Sequence, residues 1–157
     1  MKTLQPNQLL AFLAIGMIGG LSAAQLATGF GLAFPQSPWT LILTLPAIGI
    51  AVLIASLPIA RYRRQLSKVE DGKRAARPNP FYAFRVLIVA RATALTAALF
   101  AGWYLGGLIW LFGFSVAPGA LVTSSGFGLL AAALMLGCAV AAENNCKAPS
   151  DPGEEAR

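Results

Sequence analysis

Residues that commonly do chemistry are scarce in this chain. Histidine is absent, and the two cysteines, Cys138 and Cys146, are eight positions apart in sequence with no histidine to join them. A zinc site needs about four Cys, His or carboxylate ligands, so this pair makes a poor metal centre. Six acidic residues are present, and none falls inside a long apolar stretch, which leaves no carboxylate for a proton relay. The glycine runs "GFGLAF" and "GGLIWLFG" lack the lysine and the spacing of a phosphate loop. No nucleophile-elbow pattern is present. Gln25, Thr28, Thr44, Thr93 and Thr96 are polar but uncharged, and such groups commonly bond across helices or back to their own backbone. These features point to a non-enzymatic protein with no cofactor.

One residue stands apart. In "RPNPFYAFRVLIVARATAL", Arg77 to Leu95, Arg91 is carried deep into an apolar run. Asn79 can cap a helix and Pro80 suits its first position. A helix from Phe81 places Arg91 about 9 Å beyond Arg85, at ~1.5 Å per residue. Side chains tilt toward a helix N-terminus, so Arg91 leans back toward the basic segment before it. The expectation is an interfacial anchor that snorkels to lipid phosphates, with Ala92 to Phe112 as the true span. The alternative is an inward-facing Arg91 paired with a ligand or with Glu143, the only nearby acid by topology.

The elements that hold these residues follow from composition. Hydrophobic residues are 57% of the chain and charged residues 11%, against about 25% charged in soluble domains. Mean hydropathy is +0.67. Four apolar runs, at about 9–34, 39–60, 82–112 and 119–142, each cover the ~20 residues that cross a bilayer core. Backbone groups in hydrocarbon must bond internally, so such runs are helices. "FPQSPW" and "GFSVAPG" read as tight turns between them. The expected fold is all-α: an integral membrane four-helix bundle of two helical hairpins joined by a basic cytoplasmic loop. Residues 1–142 form the transmembrane domain with loop 61–81, and 143–157 a disordered cytoplasmic tail. Lys2, the apolar core and Ser22-Ala23-Ala24 resemble a cleavable signal, but the run continues to Phe34 and reads as a span. Pro46 is expected to kink the second span and Pro58 to end it.

Small residues recur at every fourth position: Gly16-Gly20-Ala24-Thr28 and Gly19-Ala23-Ala27-Gly31 in the first span, Ala90-Ala94-Ala98-Gly102-Gly106 in the third, Ala133-Gly137-Ala141 in the fourth. Such ladders let helix backbones approach in lipid, and contacts within the bundle are favoured over dimerisation. Ala98 and Gly102 should face helices and Leu99 lipid. Trp39, Trp103, Tyr104 and Trp110 are expected as aromatic anchors at the outer interface.

Charge sets the orientation. Arg61, Arg63, Arg64, Lys68, Lys73, Arg74, Arg77 and Arg85 crowd the middle loop against only Glu70 and Asp71, while both short turns are uncharged. Short loops rich in Lys and Arg remain cytoplasmic, so both chain ends and the middle loop are expected inside. These cations and Arg91 are candidate contacts for anionic inner-leaflet lipid or a membrane protein partner. Nucleic acid is not expected beside a bilayer.

The segment "NPFYAFRVLIVARATALTAALFAGWYLGG", residues 79–107, resembles the central motif of an actinobacterial family of small four-span membrane proteins, domain of unknown function three-one-eight-zero. The matching parts are Arg85-Val86-Leu87, Ala90-Arg91-Ala92-Thr93-Ala94 and Gly102-Trp103-Tyr104. The resemblance extends to the start, "MKTLQPNQLL", and implies a plasma-membrane location, with no catalytic residue to carry over. The reading is a membrane accessory or scaffold protein; the alternative is a small oligomeric transporter or channel.

Topology is directly testable. Reporter fusions after Arg64 and at Arg157 should read cytoplasmic and one at Gln36 external. An external signal after Arg64 would invert the orientation derived from loop charge.

Overall fold

A computed structural model describes residues 5–32, 34, 37–66, 80–113 and 119–146. The Asn79 cap, loop residues Lys68, Lys73, Arg74 and Arg77, and tail residues 147–157 lie outside the described residues. Four helices long and apolar enough to cross a membrane account for nearly all of the rest: α1 (Pro6–Gly29), α2 (Trp39–Leu66), α3 (Pro80–Phe112) and α4 (Gly119–Cys146).

Local sequence explains several boundaries. Pro6 occupies the start of α1, where a missing N–H costs nothing. The helix ends five residues before Phe34, the end expected from hydropathy. Gly31 adopts φ 66°, its N–H bonds Thr28 O at 3.2 Å, and Leu32 N–H reaches back to Ala27 O at 2.8 Å. This is a Schellman ending, and it stops the helix although the sequence stays apolar. Conversely, α2 does not end at Pro58 but runs on to Leu66. Proline removes one intrahelical bond, and a helix continues where neighbouring groups satisfy the freed acceptors. The acceptor freed by Pro58 is Ile54 O; the Tyr82 hydroxyl donates not to it but to the next carbonyl, Ala55 O, at 2.9 Å. Likewise α4 continues beyond Ala142 to Cys146.

The packing is not that of two self-contained hairpins. Among the described residues α1 touches only α3, whereas α2, α3 and α4 all meet one another. Neighbouring contacts run in register. Gly16 faces Leu99 and Gly106 faces Met17, so α1 and α3 are parallel; Gly49 faces Met135 and Ser56 meets Asn145, so α2 and α4 are parallel. Tyr104 against Gly128 and Arg91 against Glu143 make α3 and α4 antiparallel. The chain therefore alternates direction with each helix. The end where α2 leads into α3 is called the loop end below, and the opposite one the far end.

Two packing modes coexist. The α1–α3 seam is bare backbone. A Cβ added at Gly16, Gly20, Gly102 or Gly106 would strike Leu99 O, Trp103 O, Leu13 O or Met17 O respectively. Each glycine thus turns a Cα–H toward a carbonyl of the opposite helix, a weak hydrogen bond that recurs at close helix crossings. Gly16, Gly20 and Ala24 are the buried residues of α1, and Ala90, Ala94, Ala98, Gly102 and Gly106 are all buried on α3. Leu99, expected toward lipid, is half-buried, with its carbonyl serving Gly16.

The other mode is the 3,4 spacing of coiled coils. Ile42, Leu45, Gly49, Val52, Ser56 and Ile59 are the buried positions of α2, and Ser125, Gly128, Ala132, Met135, Ala139 and Ala142 lie in the same rhythm on α4. Consequently the every-fourth ladder of α4 is not in a seam: Ala133, Gly137 and Ala141 are exposed. Tyr104, expected as an interfacial anchor, is buried against Gly128, and its hydroxyl donates to Ser37 Oγ at 3.0 Å. Trp39 is exposed at the start of α2, with its ring 6.1 Å from that of Phe127.

Glycine substitutions separate these surfaces. Gly102→Ala should destabilise the protein by roughly 1–3 kcal/mol, the cost of overfilling a close contact. Gly137→Ala has open space around its Cβ and should be neutral or slightly stabilising. Thermal melts in one detergent compare them, and equal melting shifts would contradict the seam assignment.

Candidate functional site

Polar groups gather at the loop end of the three-helix core. Glu143 on α4 is 3% exposed, an expensive state for a carboxylate unless it is paired. Arg91 on α3 supplies the countercharge, with Nε 3.6 Å from Glu143 Oε1 and about a third of its side chain exposed. The expected lipid anchor is therefore corrected. Arg91 Nε is buried beside Glu143, the pairing weighed from the sequence as the alternative, while about a third of the side chain is exposed.

Next to the pair, α2 joins through hydroxyl chemistry. Ser56, fully buried, donates to Leu53 O at 2.7 Å and accepts from Asn145 Nδ2 at 3.2 Å. With Tyr82 on Ala55 O, the three core helices are tied together within a few turns. Depth follows from helix rise. Arg91 is 21 residues from the far end of α3 and Glu143 is 24 from that of α4, about 32 and 36 Å at ~1.5 Å per residue. A ~30 Å hydrocarbon core measured from the far end would thus finish near this pair. α3 extends for eleven residues past Arg91, and α2 also runs beyond Ser56, carrying Arg61, Arg63 and Arg64.

The exposed surface of this extension combines charge with aromatic rings. Arg61 and Arg85 are exposed, as are Phe81, Tyr82 and Phe84. The threonines behave differently from pathway groups: Thr28, Thr44, Thr93 and Thr96 donate to Ala24 O, Leu41 O, Val89 O and Ala92 O of their own helices. Gln25 is exposed on α1. Cys138 and Cys146 are free thiols, both half-buried. Among the described residues no group of three His, Cys, Asp or Glu side chains is placed to hold a metal ion.

Sequence reasoning placed Glu143 at the start of the polar tail, named it as the alternative partner of Arg91, and did not single out Ser56, Asn145 or Tyr82. The missed signal is the 3,4 rhythm. Position 142 completes the α4 series, and the helix carries Glu143 and Asn145 one further turn against the core.

The helices and this charged closure define a multi-pass membrane protein with four candidate spans. More particularly, the chain belongs to the DUF3180 family, described as a protein of unknown function, whose model matches residues 9–150. No curated protein and no solved structure matches it.

Pair energetics give a test. Arg91→Ala leaves a buried carboxylate and should cost about 2 kcal/mol, below the ~3–5 kcal/mol of a fully buried pair because the Arg91 side chain is a third exposed. Glu143→Ala should cost less, since its orphaned partner retains access to the surface. The double variant should be more stable than the sum of the two losses implies. Strict additivity in detergent melts would show that the two side chains do not couple.

Proposed function

We propose that this protein is a non-enzymatic membrane accessory or scaffold protein that holds anionic inner-leaflet lipid and a partner protein at its loop end. The observation that carries this reading is the exposed set Phe81, Tyr82, Phe84, Arg61 and Arg85, on helices that continue beyond the Arg91–Glu143 closure. Aromatic rings favour the headgroup level, and clustered cations beside a bilayer attract anionic lipid at roughly 1 kcal/mol per Lys or Arg. The dense cationic loop in the sequence supports a plasma-membrane orientation with both chain ends and this loop in the cytoplasm. The hydroxyls turned back on their own helices and the Arg91–Glu143 closure favour a packed support over a conducting path.

The test uses the full chain in bilayers of mixed phosphatidylcholine and phosphatidylglycerol, extracted and analysed for retained lipid. Wild type should retain phosphatidylglycerol several-fold above its bulk ratio. Arg61→Gln combined with Arg85→Gln should lower that enrichment, and added salt should lower it further. Retention at the bulk ratio in the wild type would refute the lipid-holding role. Crosslinking in native membranes should recover a stoichiometric partner protein at the loop end.

A further inference from the structure

The far end holds a second polar feature, remote from the ion pair. A cleft opens there between α1, α3 and α4 under the link to α2, lined by Gly20, Phe34, Ser37, Trp103, Tyr104, Gly107, Ser124 and Ser125. Its chemistry is consistent. It carries four hydroxyls, three aromatic rings (one of them bearing a hydroxyl) and two glycines that leave the backbone bare, with no carboxylate, amine or guanidinium. Tyr104 is 4% exposed and spends its proton on Ser37 Oγ, and Ser124 donates to Leu121 O. Ser125 is different. It is 9% exposed, it lines the cleft, and among the described residues no hydrogen bond engages its hydroxyl. The Ser125 residue is largely buried, but its Oγ is not sealed: it keeps contact with the open space of the cleft and is available to a group that enters there.

We propose that this cleft binds an uncharged polyhydroxyl group, a sugar or glycerol moiety, with Ser125 as the principal hydrogen-bonding residue. The lining decides the class. A phosphate or carboxylate would need a cation that this wall does not have, and a purely apolar chain would leave Ser125 unsatisfied. A hydroxyl both donates and accepts, and so does each serine around it. The enclosed part of the cleft admits only about one water-sized group, so a single hydroxyl or hydroxymethyl enters while the rest of the ligand stays at the mouth. Trp103 stands at that mouth, its ring 3.6 Å from the Cβ position of Gly19 and more than a third exposed, available to stack on the C–H face of a sugar. The ligand source is either a glycolipid headgroup in the leaflet opposite the loop end or a free sugar in the adjoining water.

Full-length protein in phosphatidylcholine nanodiscs is tested against three additives: glucosyl diacylglycerol, the same diacylglycerol without sugar, and free glucose. Native mass spectrometry counts bound molecules. One glucosyl lipid per chain is expected, with diacylglycerol retained at least fivefold less. Ser125→Leu fills the cleft and should lower glucosyl-lipid retention at least fivefold; Ser125→Ala removes the hydroxyl without adding bulk and should lower it in the same direction. Melting curves identify a misfolded leucine variant, in which case the alanine variant decides. Saturable binding of free glucose, lost in Ser125→Ala, also supports the polyol class and makes the source soluble. Equal retention of sugar-bearing and sugar-free lipid, no binding of either sugar form, or retention unaffected by Ser125→Ala overturns the proposal. Phosphatidylglycerol enrichment at the loop end is a separate readout, so either result stands without the other.

Discussion

The architecture depends on four glycines that put two helix backbones in direct contact. At Gly16, Gly20, Gly102 and Gly106 even a methyl group would collide with a carbonyl of the opposite helix. Lipid tails are as apolar as leucine, so helices gain no hydrophobic benefit from meeting each other there; close packing and weak Cα–H contacts supply the attraction. This seam commits one face of α3 to α1. The opposite side of α3 remains for α4 and α2, and α3 becomes the central helix of the fold.

Around that centre, the far end of α1 and the loop end of the core are closed by local chemistry. The far end of α1 is turned by Gly31, while the loop end of the core is held by Arg91 with Glu143, Asn145 with Ser56, and Tyr82 with Ala55. These groups sit near the level where a ~30 Å apolar core counted from the far end would finish. A buried carboxylate is tolerable there because its arginine partner is close and partly exposed.

Much of the fold was legible in the sequence because hydropathy and length report directly on lipid exposure. The four spans emerged from apolar runs, and the close-packing faces of α1 and α3 from their every-fourth small residues, although the hairpin expectation did not pair these two helices. The partnering of α2 with α4 was not legible. Its buried residues, from Ile42 to Ile59, include large aliphatics that are just as common on lipid-facing surfaces, so composition carries no contrast between inside and outside. That loss of contrast also misdirected the ladder at Ala133, Gly137 and Ala141, which points outward. Glu143 was misplaced for a related reason: a charge after an apolar run reads as tail, although the helix carried it one more turn into the core.

The solitary attachment of α1 has a consequence for biogenesis. α1 is made before α2 and α3, yet the one helix it packs against among the described residues, α3, is complete about 80 residues later, on the order of 4 to 16 seconds at ordinary rates of synthesis. Throughout that interval α1 resides in the bilayer as a lone helix, with its glycine face open to lipid or to whatever insertion machinery attends it. α2, following directly, gives it no shelter. The first helix must therefore be held in the membrane by its own apolarity, and its alignment is corrected only when Gly102 and Gly106 arrive. Assembly of this small protein is thus a delayed capture, in which the third helix to be made fixes the place of the first.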